Sequence, residues 1–166
     1  ERLDDPMLRL AVGAPLIGAY REWSHSPPRW ARQMIAGLAE AQTNRLDALR
    51  QLHAAGVPIV AGSDSGNAWA LHGVALHREL ELMVEAGLSP TDALRSATTD
   101  AGRFLKQSWG LDRGAVGSVL VLDASPLDDI TNTRQIVEVI HHGRLIDRTV
   151  WHPPTDPRDL QPPPGA

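Results

Sequence analysis

The chain has 166 residues, 42% of them apolar, a net charge of −4 and no cysteine. That length and apolar share suit one sizeable core, and the absence of cysteine excludes a disulfide framework and a thiolate metal site. The acidic balance argues against nucleic acid as a partner, because phosphate binding needs a basic patch, and no run of about 18 apolar residues offers a membrane span.

The first segment, ERLDDPMLRL, is charged from its first residue and unlike a signal peptide. It lacks an initiator Met, and the expectation is that the chain is a piece of a longer protein. Residues 11–20, AVGAPLIGAY, fit a short strand followed by loop, and SHSPP at 24–28 fits a loop. From Pro28 to Ala55 the pattern is helical. Trp30, Met34, Leu38 and Ala41 recur at helical spacing, as do Leu46, Leu49 and Leu52, and Gly56 ends the run. Val57–Ala61 is a continuous apolar run, as in a parallel strand covered on both faces. Residues 63–73 read as loop. A second helix is predicted over 74–86, with Leu76, Leu80, Met83 and Val84 on one face and Gly87 as its stop.

Ser89-Pro90-Thr91-Asp92 is a helix start: a Ser cap, Pro in the first turn, and an acid three residues on. The third helix is expected to run to Leu105 and to bury Ala93, Leu94, Ala97 and Ala101. After Gly114 the period becomes two. Residues 118–122, 136–140 and 144–147 read as short strands, the last two joined by a tight turn at His142-Gly143. Residues 152–166 hold six of the thirteen prolines and read as a tail. Helix, strand and helix in alternation belong to a parallel α/β sheet, and the terminal hairpin belongs to a smaller β unit.

The segment that asks for an explanation is Gly62-Ser63-Asp64-Ser65-Gly66, a lone acid at the exit of an apolar strand. In α/β folds chemistry gathers at that end of the strands. Asp64 can cap a turn. It can be the nucleophile of a G-x-nucleophile-x-G elbow, which requires a helix beginning directly after it. It can also be a metal ligand, or the acceptor of a proton from a metal-bound water.

Further residues bear on the choice. They are Ala55-Gly56-Val57-Pro58-Ile59-Val60-Ala61-Gly62-Ser63-Asp64-Ser65-Gly66, Leu71-His72-Gly73, Leu76-His77-Arg78-Glu79-Leu80 and Glu85-Ala86-Gly87-Leu88-Ser89-Pro90. Ala93-Leu94-Arg95-Ser96-Ala97-Thr98, Val121–Ile130 and Val139-Ile140 to Gly143-Arg144 continue the series. Over about residues 50–148 this order resembles the C-terminal part of the metal-dependent amidohydrolases, near the imidazolonepropionase-like and prolidase-like members.

The resemblance implies an α/β chain carrying the C-terminal part of a (β/α)₈ barrel and part of a small β-sandwich, with the barrel incomplete. The expected division is barrel over 1–112 with its last strand at about 57–62, sandwich segment over 113–150, and Pro-rich tail over 151–166. The resemblance places Asp64 after the eighth strand, as metal ligand and general base in the hydrolysis of an amide, a cyclic amide or a small peptide. It implies a divalent cation, zinc by expectation, as one or two ions. The family's His-x-His pair and other ligands sit on earlier strands that are not found here. His141 and His142 are adjacent, and the glycine-lysine segment that precedes the family's sandwich strand is shortened to Gly117-Ser118-Val119.

His72 is a candidate for contact with substrate, and Trp69 for the pocket wall or the barrel rim. His77 fits a hydrogen bond along its helix to Glu81, and Arg78 a surface ion pair. Glu79 and Glu81 face different ways and do not make a carboxylate pair. The expected partner is a small molecule, with no nucleic acid and no membrane; a homo-oligomer is compatible with the sequence. The compartment is left open by the sequence, with the cytoplasm slightly favoured, since any targeting segment would lie upstream. The main alternative is a non-catalytic remnant or interaction module of amidohydrolase descent, and the lesser one is an α/β-hydrolase with Asp64 as elbow nucleophile.

Overall fold

The computed structural model describes residues 17–19, 21–66 and 70–149. Residues 11–16 of the first expected strand and the Pro-rich tail lie outside them. Residues 17–19 are helical rather than extended, and so are residues 21–25. The loop expected from Ser24 is therefore shorter. The Ser24 hydroxyl and the His25 ring turn back onto the Arg21 carbonyl at 2.8 and 2.6 Å, and the helix yields only before Pro27-Pro28.

α1 (Arg29–Ala54) and α2 (Val74–Glu85) follow. α2 closes through Gly87, whose φ is 104°. Leu88 N–H bonds to the Met83 carbonyl at 3.1 Å and Gly87 N–H to that of Val84 at 2.9 Å. This pair of bonds needs a left-handed residue, which glycine adopts without a steric cost. It also turns Leu88 back against Met83, both of them buried.

α3 (Pro90–Ala97) starts as its sequence predicts, with the Ser89 hydroxyl accepting from Asp92 N–H. The single third helix is in fact two, since α4 (Thr99–Phe104) begins after a break at Thr98 (φ −127°, ψ −97°). The Thr98 hydroxyl donates to the Leu94 carbonyl at 2.7 Å, while Thr98 N–H goes to Arg95. Such back-bonding bends helices. Within α4, a β-carbon on Gly102 would lie 2.8 Å from Trp109 Cβ and 3.0 Å from the Gln107 carbonyl. Gly102→Ala is expected to cost about 1–3 kcal/mol through overpacking, read as a lower midpoint in urea unfolding.

β1 (Val119–Leu122), a 3₁₀ turn (Ile130–Arg134), β2 (Ile136–His141) and β3 (Arg144–Leu145) complete the order. The strands form one antiparallel sheet in the order β1-β2-β3. Val121 faces Glu138 and Leu122 faces Ile136, so Val137 is an extra residue that bulges β2. His142 and Gly143 have φ of 50° and 73°, the two left-handed positions of a tight hairpin turn.

The core is built from Leu80, Met83, Ala86, Leu88, Ala93 and Ile130, with Leu46, Leu49, Ile59, Ala61, Val84, Leu94 and Ala97 packed against it. The 3₁₀ turn thus ties the sheet segment to the helices through Ile130. Two polar contacts reinforce the tie. The buried His77 ring lies 3.0 Å from the Thr133 hydroxyl, which itself donates to the Ile130 carbonyl. Arg134 Nε donates to Glu81 at 2.6 Å. Arg78 pairs with Glu81 and Glu85 at 3.2 and 3.6 Å, as its surface position suggested.

Two apolar faces depart from expectation. Trp30, Met34 and Leu38 are 63%, 49% and 48% exposed, and of the N-terminal half of α1 Ala31 is buried, while Leu46 and Leu49 of its C-terminal half pack on the main cluster. Val57–Gly62 is not paired in a ladder among the described residues. Ile59 and Ala61 lie on the core, while Val57 and Val60 are exposed. The helices cover one side of this segment, and no layer among the described residues covers the other.

Candidate active site

The turn carrying Asp64 follows a base fixed to α3. Ala61 N–H donates to the Ser96 carbonyl at the end of α3, 3.0 Å away. The Ser63 and Ser65 hydroxyls then meet at 2.6 Å across Asp64. Asp64 itself has a φ of 50° and is exposed. Aspartate tolerates this left-handed region better than most residues, because its short side chain bonds locally.

The chain turns again at Gly66, whose N–H bonds to the Ala70 carbonyl at 3.0 Å. A β-carbon there would lie 3.8 Å from His72 Nε2. The fold therefore brings His72 to the same loop as Asp64, with its ring against Gly66 and exposed. Trp69 falls outside the described residues. The helix after the loop begins at Val74, not at Ser65, so the geometry required of an elbow nucleophile is absent.

Glu79 is the residue that sequence reasoning passed over. Burial pushes its carboxyl above the ordinary glutamate range, and the Gly62 N–H bond offsets part of that rise. A raised carboxyl pKa in the fold stabilises the protein below the ordinary glutamate range, and that stability is lost as pH rises through the raised value. Glu79→Gln removes the half-buried charge at nearly the same size. The variant is expected to unfold at higher urea than wild type near neutral pH, the difference vanishing in acid. Urea titrations from about pH 4 to about pH 8 check this.

A cation at Asp64 does not fit the described residues alone. Among them, no group of three or more histidine, cysteine, aspartate or glutamate side chains is placed to hold a metal ion, and a catalytic zinc takes about three protein ligands. No helix among the described residues is long and apolar enough to cross a membrane.

No family model and no curated protein matches the chain. Solved structures do. A protein of Bifidobacterium longum described as a prolidase is 34% identical with a TM-score of 0.59, over 67% of this chain and 28% of its own. A molinate hydrolase is 30% identical with a TM-score of 0.55, over 60% and 25%. The chain resembles the C-terminal part of an amidohydrolase. A Xaa-Pro dipeptidase crystallised with methionine in its active site belongs to the same set of amidohydrolase neighbours, at 27% identity and a TM-score of 0.55, over 61% of this chain and 25% of that one. This amidohydrolase-like chain spans about a quarter of the length of the structures it matches.

Proposed function

We propose that the chain is the C-terminal portion of a longer hydrolase of carbon–nitrogen bonds, and that Asp64 receives the proton of the attacking water. The observation that carries this reading is the likeness to hydrolases at 27–34% identity, over a chain that presents an acid on a turn fixed at its base. Amide hydrolysis needs water made nucleophilic as it meets the carbonyl carbon, and a carboxylate within hydrogen-bond reach can take that proton. Val57–Gly62 would be the last strand of a barrel whose other strands lie outside this chain. Those strands would cover Val57 and Val60 and give the segment its missing ladder. The 113–150 segment would be part of the accompanying sandwich.

His72 shares the loop and would face the substrate. A divalent ion, zinc by resemblance, would draw on Asp64 and take its other ligands from outside the chain. The substrates favoured are small amides and Xaa-Pro dipeptides, after the neighbouring dipeptidase and prolidase.

The test is to express the full-length protein and incubate it with Ala-Pro and with an acyl anilide. Release of proline or aniline is the expected result. No cleavage of any carbon–nitrogen bond by the full-length protein would leave a non-catalytic descendant of amidohydrolases as the better account.

A further inference from the structure

We propose that Ser63 and Ser65 are positioning residues for Asp64: the bond between their hydroxyls clasps the chain across the acid and so sets where its carboxylate stands. This rests on the reading of Asp64 as the proton acceptor.

Three observations converge on it. The two hydroxyls lie 2.6 Å apart, one donating and the other accepting, and Asp64 is the residue between them. In an extended strand, residues two apart stand about 6.7 Å from each other, and two short serine side chains standing out from the pleat do not bridge that gap. The φ of 50° at Asp64 bends the chain and draws its neighbours together. Bend and bond therefore support each other. A left-handed residue other than glycine persists only where its surroundings over-determine it, and the hydroxyl bond supplies that constraint at the acid itself.

The second observation is exposure. Ser63 and Ser65 are half-buried, while Asp64 is exposed. The clasp thus sits on the sheltered side of the bend, and the acid faces the solvent from which substrate and water arrive. The third is how the rest of the turn is held. Ala61 N–H bonds to the Ser96 carbonyl before the acid, and Gly66 N–H to the Ala70 carbonyl after it, both at 3.0 Å. These backbone bonds fix the two ends of the turn. Between them the carboxylate is placed by the dihedral angles at residues 63–65, which the hydroxyl bond spans. A shift of about 1 Å in a reacting group costs about a hundredfold in rate, so a clasp at this point acts on turnover more than on the fold.

Kinetics and hydrogen exchange on the full-length protein decide the matter, with Ala-Pro as the kinetic probe. Ser63→Ala and Ser65→Ala are each expected to lower kcat by about five- to tenfold with KM nearly unaltered, as for the loss of one neutral hydrogen bond. Both remove the same bond, so the double variant should be no slower than the worse single one. A peptide spanning residues 57–66 should exchange about fivefold faster in all three, and one spanning 136–145 should be unchanged. Threonine keeps the hydroxyl, so Ser63→Thr or Ser65→Thr should recover most of the lost kcat. The proposal is overturned by single variants that keep their kcat, by losses that multiply in the double variant, or by two threonine variants as slow as the alanine ones. Unchanged exchange at 57–66, or a rise of equal size at 136–145, overturns it as well. An Asp64→Asn control separates the two ideas: if that variant keeps its turnover, the role of Asp64 fails, while the exchange data still decide whether the serine pair fixes the turn.

Discussion

Asp64→Asn in the full-length protein is expected to lower kcat by about 10²–10⁴-fold, the usual worth of a general base, while the unfolding midpoint barely moves. Asparagine has the size of aspartate, adopts the left-handed backbone readily, and can bond its own turn. It cannot take a proton from water at neutral pH. Because Asp64 is exposed in this chain, the substitution leaves no cavity. The expected signature is therefore a protein that folds and binds but does not turn over. Steady-state kinetics on Ala-Pro beside a thermal melt read it directly. Retention of turnover within a few-fold would show that the acid only shapes its loop. A large drop in melting temperature would assign the effect to structure instead.

The elements that could be read from the sequence are those whose ends are chemically marked. Ser89 and Asp92 announce α3, and the cap bond is present. Gly87 stops α2 through two specific bonds, and the His142-Gly143 pair makes the hairpin turn. These depend on neighbours a few positions away, so local sequence determines them.

What escaped depends on distant partners. The break at Thr98 follows from a hydroxyl choosing a carbonyl of its own helix, which periodicity does not report. The stripe of Trp30, Met34 and Leu38 has the spacing of a buried face, yet among the described residues it stays about half exposed or more. Spacing reveals an apolar face but not its partner. Ile130 lies in a loop by pattern and in the core by packing. At the site, the glycines and Asp64 were visible as an interruption of an apolar run. The raised carboxyl of Glu79 was not, because its burial depends on how the fold packs around α2. The one available signal was an acid on the helix that follows a glycine-rich loop, and on that evidence alone it reads as solvated.

Leu80→Ala is expected to have the largest effect on stability. Leu80 is 5% exposed and packs with Met83, Ala86, Leu88, Ala93 and Ile130. Truncation of such a side chain loses its transfer free energy and leaves a cavity, together about 2–5 kcal/mol. The upper part of that range is expected here, because three of its partners have little freedom to collapse into the space. Ala86 and Ala93 have no side-chain length to spare, and Met83 is held by the Ser96 hydroxyl at 3.2 Å from its sulfur. A domain holds only about 5–15 kcal/mol in total, so the loss would take a large share of it. The consequence extends beyond α2. Ile130 joins the sheet segment to this cluster, so loosening Leu80 should release the Glu81–Arg134 contact and raise hydrogen exchange across residues 130–141 as well as across α2. Leu80→Met, which conserves volume, should cost less than about 1.5 kcal/mol and leave that exchange unchanged. If Leu80→Ala loosened α2 alone, the helices and the sheet segment would be held together by their polar contacts rather than by a shared apolar cluster.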